Sequence, residues 1–199
     1  MLKRLPIIIA LCALAIASTY WFGRDLPTAP TPSGSGEALI GGEFSLTDQH
    51  GNPYTHKDML DHYSLVFFGF THCPDICPTA LLNSTLALAQ LGDDAKQVKI
   101  VFISVDPERD NPASMKLFVN NFSPDIAALS GTAEQVKQAA DAYKVFYSKV
   151  EQKDSALGYV VDHSAYLYLM GKDGKYISHF PHNVAQQELA DTLKRIINP

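Results

Sequence analysis

Leu65-Val66-Phe67-Phe68-Gly69-Phe70-Thr71-His72-Cys73-Pro74-Asp75-Ile76-Cys77-Pro78 is the stretch that decides the fold. Its first six residues carry no charge, the pattern of a strand buried on both faces. Behind it, Thr79 to Leu91 places apolar residues at helical spacing. Pro78 suits a first helical turn, where a missing N–H costs nothing. Two cysteines therefore stand on a strand-to-helix loop, at or beside a helix N-terminus. The free N–H groups and the positive dipole end there favour thiolate over thiol. A thiolate serves as the nucleophile of disulfide exchange and as a ligand of soft metal ions.

Upstream, Phe44-Ser45-Leu46-Thr47 alternates, a turn cluster follows at 48–53, and Tyr54-Thr55 resumes, which predicts a hairpin or paired edge. Residues 25–41 hold Pro27, Pro30, Pro32, Gly34, Gly36 and Gly41 and read as a flexible linker. Before it, Lys3 and Arg4 precede an uncharged run from Leu5 to Phe22. At about 1.5 Å per helical residue this run nearly spans a hydrocarbon core of about 30 Å. Residues 1–24 are thus expected to be a single-pass membrane anchor, with Lys3 and Arg4 in the cytoplasm and the domain on the other side. A cleaved signal peptide is the rival reading, since Ala15-Ile16-Ala17 resembles a cleavage site. Both readings export the remainder, and the anchor is preferred. The globular domain is expected over 42–199.

Downstream, Val98 to Val105 reads as a second apolar strand, broken by Asp106-Pro107-Glu108-Arg109-Asp110-Asn111-Pro112. Asn111 caps and Pro112 opens a helix to about Phe122. A short strand near Ala128 to Ser130 follows, then a helix to Ala142 opened by a Thr132/Gln135 capping box. Strands at 145–150 and 159–161, a hairpin at 165–170 and 176–180 with an Asp173-Gly174 turn, and a closing helix from Val184 to Ile197 complete the chain. Alternating strands and helices ending in a hairpin and a helix make an α/β domain. Cysteines after the first central strand match the thioredoxin-like arrangement: a mixed central sheet flanked by helices, with chemistry at strand carboxyl ends. The chain has 199 residues, 46% of them hydrophobic, which suffices for one full core. A net charge of -5 and the lack of a basic block argue against nucleic acid as a partner.

Three residues separate Cys73 from Cys77, where thioredoxin motifs have two. That spacing permits a disulfide and also lets two sulfurs approach one metal ion. A third ligand would decide between these. Of seven histidines, His50, His56 and His62 lie in polar turns, and His179 and His182 flank a strand end. His72 adjoins Cys73, but neighbouring side chains on an extended strand diverge. His163 differs, because Asp162-His163-Ser164 is a polar triplet wedged between apolar strands. Asp162 or Ser164 would then orient the imidazole. On the residues alone His163 stays open between ligand and polar loop residue.

Together, Gly69 to Pro78, Val105 to Asp110 and Tyr159 to Ser164 resemble the SCO/SenC family of membrane-tethered copper proteins of cytochrome c oxidase assembly. The resemblance covers roughly residues 40–199 plus the anchor. It implies copper ligation by Cys73, Cys77 and His163, with Asp75, between the cysteines, as an accessory contact; Asp162 stands beside the histidine in the same role. Thioredoxins carry a cis-proline where this chain has Asp162-His163, and an imidazole there favours metal over general thiol exchange. Two thiolates and one imidazole suit three-coordinate Cu(I) and also accept Cu(II). The resemblance therefore implies a membrane-tethered copper metallochaperone. Its partners would be the copper-site subunit of cytochrome c oxidase and, upstream, a copper donor chaperone or a thiol reductant. It places the domain outside the cytoplasmic membrane. The alternative is a thiol–disulfide oxidoreductase, using the Cys73–Cys77 redox pair to keep partner cysteines reduced for metallation. A peroxidase lacks its expected motif.

Overall fold

A computed structural model describes residues 39–123, 125–152 and 158–199. The expected anchor (1–24), and the linker as far as residue 38, lie outside the described residues. Among those described, no helix is long and apolar enough to cross a membrane.

The elements follow in chain order. Ser45–Asp48 (β1) and Pro53–Thr55 (β2) form the first hairpin, and Tyr63–Gly69 (β3) leads through the cysteine loop to Ile76–Ala89 (α1). Val98–Ser104 (β4), Pro112–Val119 (α2), Ala127–Ser130 (β5) and Ala133–Tyr143 (α3) come next. Tyr147–Glu151 (β6), Tyr159–His163 (β7), Tyr166–Met170 (β8), Tyr176–Pro181 (β9) and Gln186–Ile197 (α4) close the chain. Seven strands make one sheet in the order β2-β1-β5-β4-β3-β8-β9, and β6 and β7 make a separate two-stranded ribbon. The strands β3, β4 and β5 run parallel, while β1 and β8 join them antiparallel. This is the mixed, helix-flanked sheet of a thioredoxin-like domain.

The apolar run forms the sheet's centre because both its faces are covered. Leu65, Val66, Phe67 and Phe68 are all fully buried. Each such side chain contributes about 1.5–3 kcal/mol by leaving water. On one face Phe67 stacks with Phe102, which Phe118 of α2 covers at 5.5 Å. On the other, Tyr143 of α3 meets Phe68 and Tyr168 at 5.3 and 5.7 Å. Both capping boxes form: Asn111 with Ser114, and Thr132 with Gln135.

Helix α1 begins at Ile76, which puts Pro78 in its first turn as expected, where N–H groups have no intrahelical partner. Other boundaries differ from expectation. Helix α2 ends at Val119, where Asn120, Asn121 and Phe122 continue in tighter turns. His163 does not lie on a loop. It pairs with Tyr147 as the last residue of β7, since a ribbon exposed on one side accepts polar side chains.

Candidate metal centre

At the carboxyl end of β3 the chain turns sharply: the Cys73 N–H donates to the Phe70 carbonyl at 3.3 Å. Helix α1 then starts without an ordinary cap. Asp75 occupies the N-cap position, yet its side chain bonds none of the helix N–H groups. The Cys73 sulfur takes that place, accepting the Cys77 N–H at 3.5 Å. One of the helix's orphan donors thus points at sulfur, and the dipole favours negative charge there.

The two thiols are unequal. Cys73 is 8% exposed and Cys77 is fully buried, and neither is in a disulfide. The hydrogen bond from the Cys77 thiol, aided by His163 and by the N–H groups of Cys77 and Asp75, holds the Cys73 pKa down to about 4 against the opposing effect of burial. Donating that same bond, and then burial, pushes the Cys77 thiol well above the usual range.

Gly69 makes room for this pair. A Cβ at that position would stand 2.6 Å from the Cys77 sulfur and 2.8 Å from the Phe102 ring. Only glycine lets the helix N-terminus settle this closely on the strand.

The fold brings His163 to the thiols across 86 positions, with its Nε2 3.8 Å from the Cys77 sulfur. Its ring stands edge-on to Phe67 and Phe70, with centroids 6.0 Å away in each case. The other ring nitrogen, Nδ1, lies 3.1 Å from the Ser164 carbonyl oxygen. With its proton on Nδ1, donated to that carbonyl, the ring would offer the Nε2 lone pair to a metal; with its proton on Nε2 it would instead donate to sulfur. The orienting group is therefore the Ser164 backbone. Asp162 is exposed and does not hold the ring, because successive residues of a strand face opposite ways.

Asp75 is exposed, and its carboxylate accepts from the Thr79 hydroxyl at 3.4 Å. Exposed His72 lies beside the Thr71 hydroxyl and 3.9 Å from Asp110. A cleft of about 370 Å³ opens on the centre, lined among others by Phe70, Cys73, Pro74, Val160 and His163.

Among the described residues no three His, Cys, Asp or Glu side chains are already gathered to hold a metal ion. The donor set nonetheless suits a soft ion. Sulfur and imidazole donors bound at about 2.3 and 2.0 Å in a trigonal plane stand about 3.8 Å apart, the separation of Cys77 from His163.

The residues just past β4 carry a second layer that residue reasoning left unassigned. Asp106 and Asp110 are both almost fully buried. Asp110 accepts from the Thr71 N–H at 3.0 Å, from the Thr71 hydroxyl, and from the Ser104 hydroxyl at 2.6 Å. Asp106 takes the Arg109 Nε and, at 2.8 Å, the Tyr159 hydroxyl. Two carboxylates directly behind an apolar strand are the signal in the sequence, since acidic groups are buried only when paired.

A thioredoxin-like domain with a capped thiol pair and an imidazole in line with it defines the class of protein. The comparisons give the family. The SCO1/SenC description matches residues 32–198, and the chain belongs to that family. A SCO2-like protein of Rickettsia prowazekii is 39% identical over 155 residues, 78% of this chain and 76% of its own length. The human mitochondrial SCO1 homolog is also 39% identical, over 82% of this chain and 55% of its own length. Among solved structures, copper-bound ScoI of Bradyrhizobium japonicum is 44% identical, covering 78% of this chain and 98% of its own, with a TM-score of 0.72.

Proposed function

We propose that this protein is a copper metallochaperone that carries the ion on Cys73, Cys77 and His163 and serves assembly of the copper site of cytochrome c oxidase. The observation that carries the reading is the approach of the His163 Nε2 to within 3.8 Å of the Cys77 sulfur. Thiol exchange needs only the cysteines, whereas a metal needs the third donor. Copper bound to the 44% identical ScoI supports the choice of ion, and so do the two sulfur donors, which select soft ions. The cleft beside the centre gives a partner access for ligand exchange, with Asp75 and Asp162 exposed at its rim. The Cys73–Cys77 pair closes to a disulfide when oxidised, and that form has lost both sulfur ligands. The partners are the copper-site subunit of the oxidase, a copper donor and a thiol reductant. Residues 1–24 anchor the chain, 25–41 tether it, and 42–199 form the copper domain outside the cytoplasmic membrane.

One observation favours the second reading, a thiol–disulfide oxidoreductase: Cys73 is the low-pKa thiol and Cys77 the buried partner, an attacking and resolving pair. The His163→Ala variant separates the two. Loss of an outer group alone costs about 10–100-fold in metal affinity, so a first ligand should cost at least that, with loss of the Cu(II)–thiolate absorption. The disulfide should still form. Copper affinity and spectrum equal to the parent's would leave the oxidoreductase reading in the lead.

A further inference from the structure

The imidazole sits on a ribbon whose strands, β6 and β7, among the described residues pair with one another and not with the main sheet. The polar ties from this ribbon to the domain run to the residues after β4. Tyr159, the first residue of β7, gives its hydroxyl to Asp106 at 2.8 Å and accepts the Arg109 Nη1 on its carbonyl at 3.2 Å. Its ring is sandwiched between the Arg109 guanidinium at 3.7 Å and the Lys149 ammonium at 3.9 Å. Lys149 is in turn paired with Glu108 at 2.7 Å. The same turn reaches the thiol side. Asp110 binds both the N–H and the hydroxyl of Thr71, two residues before Cys73.

We propose that the turn Asp106–Asp110 is the positioning element of the centre: it grips the cysteine loop at Thr71 and the imidazole strand at Tyr159, and so sets the separation between the Cys77 sulfur and the His163 ring. The inference rests on the reading of these residues as one centre. The physical case is leverage. His163 lies four residues beyond Tyr159, a span of about 13 Å along an extended strand, and its own end of β7 is tied by the Phe146–Ser164 backbone contact within the ribbon. A rotation at Tyr159 is therefore carried to the ring by a stiff paired strand. The contacts at Tyr159 combine a planar stack with directed hydrogen bonds at its carbonyl and its hydroxyl, which a lysine in place of arginine would not reproduce.

The test uses Arg109→Met, Tyr159→Phe and, for each, the same change with His163→Ala. Arg109→Met removes the stack, the carbonyl bond and the ion pair to buried Asp106; Tyr159→Phe keeps the ring and loses only the bond to Asp106, which guards against a variant that fails to fold. Without metal, amide exchange at Val160, Asp162 and Ser164, whose N–H groups face β6, should quicken while β3 stays as protected as in the parent, and the His163 ring resonances should shift. With copper added to the reduced protein, Arg109→Met should weaken binding by about 10–100-fold, and the Cu(II)–thiolate bands should move. In the His163→Ala background the same change should weaken binding by no more than about twofold, the scatter expected of independent sites. Equal losses in both backgrounds, or unaltered exchange and ring resonances in the metal-free protein, overturn the proposal. If the parent takes up no copper, the proposed function falls, and the metal-free measurements alone uphold or overturn the positioning role.

Discussion

Strands β3 and β7 both end at the centre, and they are held in opposite ways. Strand β3 is flanked by β4 and β8, is buried over nearly its whole length, and delivers the thiols from the middle of the core. Strand β7 has one partner, shows solvent-facing residues, and delivers the imidazole from a ribbon outside the main sheet. The sulfurs are therefore placed by packing, which is stiff and insensitive to single polar changes. The imidazole is held by the Phe67 and Phe70 rings and the Ser164 carbonyl, and its strand by buried Val161 and by the side-chain bonds at Tyr159. The thiol half of the centre thus rests on core packing, and the imidazole half adds a few polar bonds to it.

Breaking the thiol half should have the largest effect. Replacing fully buried Phe67 by alanine removes the partner of Phe102 and one wall of the His163 ring. Denaturant unfolding should show a loss of about 3–5 kcal/mol. A loss below about 1 kcal/mol, the range typical of surface changes, would mean that β3 is no stiffer than the ribbon.

A smaller effect sharpens where packing meets chemistry. At Gly69→Ala the new methyl would meet the Cys77 sulfur and the Phe102 ring. Overpacking of this kind typically costs about 1–3 kcal/mol. It should also push the helix N-terminus off the strand, so the Cys73 thiolate loses its hydrogen bond from Cys77. The alkylation rate of Cys73 at mildly acidic pH, compared with the parent, reads this directly; an unchanged rate would show that the thiol pair does not depend on the close approach.

A further effect is a matter of pH. The Cys73 pKa lies below its unfolded value, so its contribution to folding is fully present above the unfolded value, near 9, and is lost as pH falls toward about 4. The Cys77 pKa lies above its unfolded value and acts only at alkaline pH, in the opposite sense. In the reduced protein the thiolate ultraviolet absorbance should accordingly persist on acidification until about pH 4. Its disappearance near the ordinary thiol pKa would show that the Cys77 bond and the helix N-terminus do not stabilise the charge.

Most of the fold was legible because its signals are local. The apolar runs of β3 and β4, the Asn111 and Thr132 caps and the Asp173-Gly174 turn each declare themselves within a few residues. The thiol pair was legible for the same reason, being spaced along a single loop. His163 was open on the residues alone, and its neighbours misled. The polar triplet reads as a loop, yet pairing with β6 makes it strand, and the orienting oxygen belongs to a backbone carbonyl that no side-chain pattern announces. The roles of Asp106, Arg109, Asp110 and Gly69 were likewise beyond reach, since each is defined by a partner distant in sequence.

Sequence by itself thus determined which residues form the strands and helices, and where a thiolate would be favoured, because hydrophobic periodicity, capping and helix dipoles act over one or two turns. Only the tertiary structure decided that the imidazole meets the thiols and that one acidic turn holds both sides. Those are statements about partners 39, 53 and 86 positions apart, and such separations are fixed by how the sheet twists and packs.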